Sequence, residues 1–226
     1  MKNLKHYLLD LAVIIAGISI SFMAEEWRIN HNLEKHTEQI LERLLGSLDD
    51  DIDDLNYNIK SHEIASKSCS KIIYYLYNEN QEISLDSLSY ILTDLTRGTI
   101  FVPNAEEYNA LKNSGQIELI EDISLVQSLH AKYMLHPFYE EINDIINDYV
   151  NNNVLPFLID QKGIIPPDSA GNLYSPIELR EIPELKEISY LVSYLNELHL
   201  FHNVKAKEII LQTENLKQNI QEYLND

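Results

Sequence analysis

His199 and His202 stand three apart in a segment whose apolar residues keep helical spacing, so both imidazoles fall on one helix face. Two imidazoles so placed, completed by a carboxylate from a facing helix, are the parts of a metal site in a helical bundle. No Glu-x-x-His pattern accompanies them. The competing readings are packed or water-linked core histidines and a pH-responsive helix contact, since imidazole titrates near neutrality. Asp49, Asp50, Asp51, Asp53 and Asp54 form the densest charge cluster, but it lacks the turn glycine and ligand spacing of a calcium loop. Ile52 and Leu55 carry an apolar stripe through it, which predicts a solvated acidic helix face. Tyr108, Lys112 and Ser114 are candidates for a polar binding patch beside a turn at Asn104. The structural alternative is that Asn104 caps a helix, Gly115 ends it and Tyr108 packs as a staple. Cys69 and the serines near it lack the elbow glycines of a hydrolase, and the glycines are too scattered for a phosphate loop. Neither an enzyme nor a cofactor is expected.

The elements that would position these residues are helices. Between Leu8 and Ala24 the chain reads LLDLAVIIAGISISFMA, with Asp10 its one charge. A spanning helix needs about 17–25 apolar residues. The run predicts a transmembrane anchor over residues 7–24, after a short tail at 1–6, with Tyr7 and Trp27 at the two interfaces. A cleaved signal peptide competes, but Phe22-Met23-Ala24 is a poor cleavage site and Ser19-Ile20-Ser21 only a better one. Lys2 and Lys5 place the N-terminus inside and residues 25–226 outside the cytoplasmic membrane. Ala12 and Ala16, and Gly17 and Ser21, have the small-xxx-small spacing that lets helix backbones approach closely, so the anchor is a candidate for self-association.

The formal charge is −19, with 36 acidic against 17 basic residues. That balance argues against nucleic acid and against anionic lipid headgroups, both of which want clustered Lys and Arg. With a single cysteine there is no intrachain disulfide.

All seven prolines lie between Pro103 and Pro183, so long helices are expected at both ends. Past Trp27, Leu33, Leu44 and Leu55 fall eleven apart, as do Thr37, Leu48 and Ile59. Eleven residues are about three straight helical turns. One helix is predicted from the anchor to about Lys60, with Gly46 the place for a bend. At the other end Val192, His199, Ala206, Thr213 and Ile220 repeat every seven, as do Leu195, His202, Ile209, Leu216 and Tyr223. Those ladders read as the two seam positions of a coiled-coil-like helix over about 184–223, packed on the first. Shorter helices are expected at His62–Tyr77, Leu85–Leu95, Ala105–Ser114, Ile123–His136 and Phe138–Leu155, with Ser84, Asn104 and Asp122 as N-caps. Residues 156–183 form a long loop, a length uncommon unless functional or disordered.

The stretch from Phe101 to Asp122 resembles the central signature of a family of bacterial membrane proteins, common in Bacteroidota, that carries a domain of unknown function. The matching positions are Pro103, Asn104, Tyr108, Leu111, Lys112, Ser114, Gly115, Leu119, Ile120 and Asp122. Asp10, Gly17 and Trp27 resemble that family's anchor, where the acidic residue is usually Glu and the basic lead longer. The resemblance implies a single-pass, all-helical membrane protein and no activity.

The expected fold is therefore all-α: a transmembrane helix continuous with a stalk, packed into an antiparallel multi-helix bundle. The expected function is that of an interaction or scaffold module of a membrane complex, with the lipid bilayer, other envelope proteins and further copies of itself as partners. The short lead before Asp10 leaves no cytoplasmic output domain. An oligomeric pore or transport accessory, or a sensor-like ligand-binding domain, is the alternative.

Overall fold

The computed structural model describes residues 2–78, 82–161, 172–173 and 185–225, and among them there is no strand. The described residues form six α-helices: α1 (Lys2–Tyr77), α2 (Leu85–Leu95), α3 (Glu106–Ser114), α4 (Ile123–Met134), α5 (His136–Tyr149) and α6 (Leu185–Asn225). A 3-10 turn, Gln116–Leu119, joins α3 to α4, and π-helical turns at Val150–Val154 and Phe157–Gln161 extend α5.

The first helix is longer than its stripe predicted. It runs unbroken through Gly46 and through the expected stop near Lys60, absorbing the separate helix at 62–77. The physical reason is continuity of the eleven-residue pattern: Leu44 and Leu55, then Asn58 and Cys69, then Ile72, are all buried on one slowly drifting face. Burial starts only at Thr37; Leu33, the first rung of the ladder, is exposed.

α1 and α6 run antiparallel. Going along α1, Asp49 pairs with Lys217, His62 meets His199, Ser66 bonds Asn196, and Tyr77 meets Ser189. Both heptad ladders of α6 face inward: Val192, His199, Ala206, Thr213 and Ile220 are buried, as are Leu195, His202, Ile209 and Leu216, while Tyr223 is half-buried. The apolar core falls into three clusters strung along this helix pair. One lies around Leu44, Leu111 and Leu216, one around Leu55, Tyr139 and Ala206, and one around Ile72, Leu92 and Leu195.

Local chemistry sets the short helices. Ser84 caps α2 by accepting from the Ser87 N–H, and Asp122 caps α4 by accepting from the Ser124 and Leu125 N–H groups. α3 differs from expectation: its N-cap is Ala105, which has no side-chain cap bond, because Asn104 is engaged elsewhere. α5 begins earlier than predicted, at His136 with Pro137 in its first turn, where a missing N–H costs nothing. Gly115 ends α3 with φ 74°, the left-handed conformation that favours glycine. A Cβ there meets no atom within 4 Å, so strain is purely in the backbone. Gly115→Ala is expected to lower stability by about 1 kcal/mol, read as a lower midpoint in thermal unfolding.

The membrane span is not supported. No helix, among the described residues, is long and apolar enough to cross a membrane. Asp10 and Glu25 bound an uninterrupted apolar stretch of Leu11–Ala24, which at 1.5 Å per residue reaches only about 21 Å of a hydrocarbon core near 30 Å. The single-pass assignment to the inner membrane, and the sidedness argued from Lys2 and Lys5, fall with it. Of the predicted loop at 156–183, residues 157–161 form a π-helical turn and 172–173 are non-helical, with the remainder of 162–183 outside the described residues.

Candidate functional site

Two buried polar clusters lie beside the apolar core. The first is built where α1, α5 and α6 meet. The heptad ladders of α6 carry His199 and His202 into the interior, both 0 % exposed, and the eleven-residue drift of α1 brings His62 opposite them. His62 Nδ1 lies 2.7 Å from His199 Nδ1, and the His62 and His202 rings stack at 3.6 Å between centroids. Around them Tyr139 OH is 2.6 Å from His202 Nε2, and Thr99 Oγ1 is 2.8 Å from His62 Nε2. His199 Nε2 faces the Leu95 carbonyl at 3.2 Å, and His202 Nδ1 faces Asn203 Oδ1 at 3.2 Å. Burial holds all three rings neutral: it pushes His199 and His202 down to about 4 and His62 to about 2, the neighbouring imidazoles adding to the effect at His62 and His202.

Every ring nitrogen of the three histidines faces a protein partner, and none of the three rings has a carboxylate among those partners. Among the described residues no group of three or more His, Cys, Asp or Glu side chains is arranged to hold a metal. Among the described residues, His199 and His202 are buried in the core with no carboxylate bonded to either ring.

The second cluster was not legible as such. Asp51, expected on a solvated acidic face, is 1 % exposed. Its Oδ1 accepts from the Asn104 backbone N–H at 2.8 Å and from Asn104 Nδ2 at 3.1 Å, while its Oδ2 takes the Lys132 ammonium. Lys132 is buried too, and burial lowers its pKa against the pull of Asp51. Tyr133 closes the cluster by donating to the Asn104 carbonyl at 3.2 Å, and its ring lies under Lys132 Nζ at 4.7 Å. His136, buried beside them, is driven down to about 4 by burial and by the Lys132 cation. The other carboxylates of the acidic run differ from Asp51: Asp49 pairs at the surface with Lys217, and Asp53 is exposed.

The Tyr108, Lys112 and Ser114 patch is not brought together as a site. Tyr108 is buried, stacked on Tyr133 at 4.2 Å and bonded through its hydroxyl to His130 Nδ1 at 2.8 Å. Ser114 turns back to the Ala110 carbonyl, and Lys112 is exposed. Leu111 and Ile120 fill the core, and Pro103 leads into the Asn104 turn. Cys69 is buried with its thiol pushed up to about 12, which keeps it from acting as a thiolate.

The N-terminal part of α1 is the remaining feature. Val13, Ile20, Phe22, Met23 and Trp27 are each 66–71 % exposed, and Asp10, Ala12, Ala16, Gly17 and Ser21 are exposed with them. Ser21 Oγ donates to the Gly17 carbonyl at 2.9 Å, which hides its one polar group within the helix. Compared with protein-family models, with curated proteins and with solved structures, the chain matches none.

Proposed function

We propose that this protein is a self-associating helical scaffold whose copies join through the apolar segment Leu11–Ala24 of α1, leaving an acidic helical bundle to project from the assembly. The observation that carries this reading is the exposed apolar surface itself. Single chains rarely expose contiguous apolar patches beyond a few hundred Å². Here Leu11–Ala24, about four turns of helix, is apolar on every side, while the same helix is firmly packed from Thr37 onward. Ala12, Ala16, Gly17 and Ser21 present low relief for close backbone approach by a second copy. A helix apolar all round is not covered by a single neighbour, so the assembly holds more than two copies. The charge of −19 per chain opposes it, so association strengthens as salt screens that repulsion.

Sedimentation equilibrium on the full chain tests this. Wild type is expected to be oligomeric and more so at higher salt, and Ile18→Glu to be monomeric with unchanged helicity. A wild-type monomer at about 100 μM, equivalent to a Kd above that value, overturns the proposal. So does a chain that enters protein-free neutral vesicles as a monomer.

A further inference from the structure

Two histidines of the buried cluster, His199 and His62, are linked in a hydrogen-bonded chain with a definite direction. A carbonyl has no proton to give, so His199 donates through Nε2–H to Leu95 O at 3.2 Å. Neutral His199 then presents a bare Nδ1, and His62 Nδ1–H donates to it at 2.7 Å. That leaves His62 Nε2 bare, and the Thr99 hydroxyl donates to it at 2.8 Å. Asn143 donates through Nδ2 to the Tyr139 carbonyl, which turns its Oδ1 toward Thr99 at 3.4 Å. Thr99 has one proton and two acceptors facing it, so in the neutral chain Asn143 Oδ1 goes without.

We propose that His199, His62, Thr99 and Asn143 form a proton-uptake chain that takes one proton from solvent by reversing the direction of its hydrogen bonds. The proton enters at Thr99 Oγ1 as the hydroxyl passes its own proton to His62 Nε2. The proton on His62 Nδ1 moves across to His199 Nδ1. His199 becomes imidazolium, His62 becomes the neutral Nε2–H tautomer, and the new Thr99 hydroxyl proton turns to Asn143 Oδ1. One proton is gained and none lost; no hydrogen bond is broken, and the one missing in the neutral chain is made.

The surroundings suit that role. Thr99 is half-buried and lines two cavities, one of about 420 Å³ with Ser61 and Arg97, the other of about 280 Å³ with Glu140 and Asp144. Those two carboxylates are exposed and share that cavity with Thr99. The rings are faced by His62 from α1, the Leu95 carbonyl from α2, Thr99 from the segment after α2, Tyr139 from α5, and His199, His202 and Asn203 from α6, with Asn143 of α5 behind Thr99. Asp54 of α1 acts on Tyr139 and is not among the bonded partners of the rings. His202 stays outside the chain, because Tyr139 O–H donates to its Nε2 and its own Nδ1–H donates to Asn203. The positive charge comes to rest on His199, away from the close His62–His202 stack. The outcome is a cation set between α1 and α6 in acid while the helices remain folded.

Nitrogen-15 NMR of labelled histidine rings in the full chain reads this directly. Near about pH 7.5 the expected tautomers are Nε2–H for His199 and Nδ1–H for both His62 and His202. On acidification His199 is expected to become doubly protonated as His62 switches to Nε2–H, before helicity falls. Thr99→Val is expected to weaken uptake about tenfold, lowering the midpoint by about one pH unit, and Thr99→Ser to restore it. The proposal is overturned if His62 keeps its Nδ1 proton until helicity collapses, or if Thr99→Val leaves the midpoint in place. The tautomer assignment on wild type decides the matter even where a variant does not fold.

Discussion

Replacing Asp51 with alanine is expected to cost about 3–5 kcal/mol, a large share of the 5–15 kcal/mol that holds an ordinary domain together. The loss is large because Asp51 answers three donors at once: the Lys132 ammonium, the Asn104 backbone N–H and the Asn104 side-chain amide. Without it a buried cation is left with no counter-charge, and the turn leading into α3 loses its attachment to α1. Urea denaturation near neutral pH measures the change. The double variant Asp51→Leu, Lys132→Met removes both charges together, and buried ion pairs so replaced are often neutral or stabilising. It is expected to recover more than half of the loss. A double variant as unstable as the sum of the two single ones would show that the pair is not energetically coupled.

The second large effect is acid destabilisation. His62, His136, His199 and His202 all have pKa values below the ordinary 6.5, because burial disfavours the charged ring. An unfolded chain therefore binds more protons than the folded one between pH 6.5 and about 4, and stability falls as pH falls through that window. It is fully present above pH 6.5, where the rings are neutral in both states. Each ring contributes at most about 1.4 kcal/mol per pH unit. Together they make acid progressively destabilising to the fold. The proton-uptake chain relieves this for one proton, so the expected curve is less steep where the folded chain takes that proton up than four unrelieved rings would give. The slope of urea-derived stability against pH, taken on the wild-type chain, counts the protons. A flat profile from pH 7 to 4 would mean that the four rings are hydrated rather than buried.

Much of the scaffold was legible from spacing. The heptad ladders of α6 predicted its buried face residue by residue, since a period of about 3.6 leaves little choice over several turns. Ser84, Asp122 and Gly115 marked helix ends because each satisfies orphan backbone groups locally. The polar clusters were harder to read. Asp51 sits in a run of five aspartates whose type is the same and whose burial is not. One signal was present: Asp51 stands eleven residues after Ile40 and eleven before His62, on a buried stripe. His62 carried the same signal and was read only as the start of a short helix. Lys132 had none, because its partner lies 81 residues away.

The apolar N-terminal run shows the division most plainly. By itself the sequence determined that the chain is helical, which faces of α6 are apolar, and that Leu11–Ala24 is apolar on all sides; these are properties of neighbouring residues and their angular spacing. Only the tertiary structure decided which polar side chains are withdrawn from water. It set His62 against His199, Asp51 against Lys132 and Asn104, and stopped α1's packing at Thr37. Those outcomes depend on which distant element lands opposite a given turn of helix, and local periodicity carries no information about that.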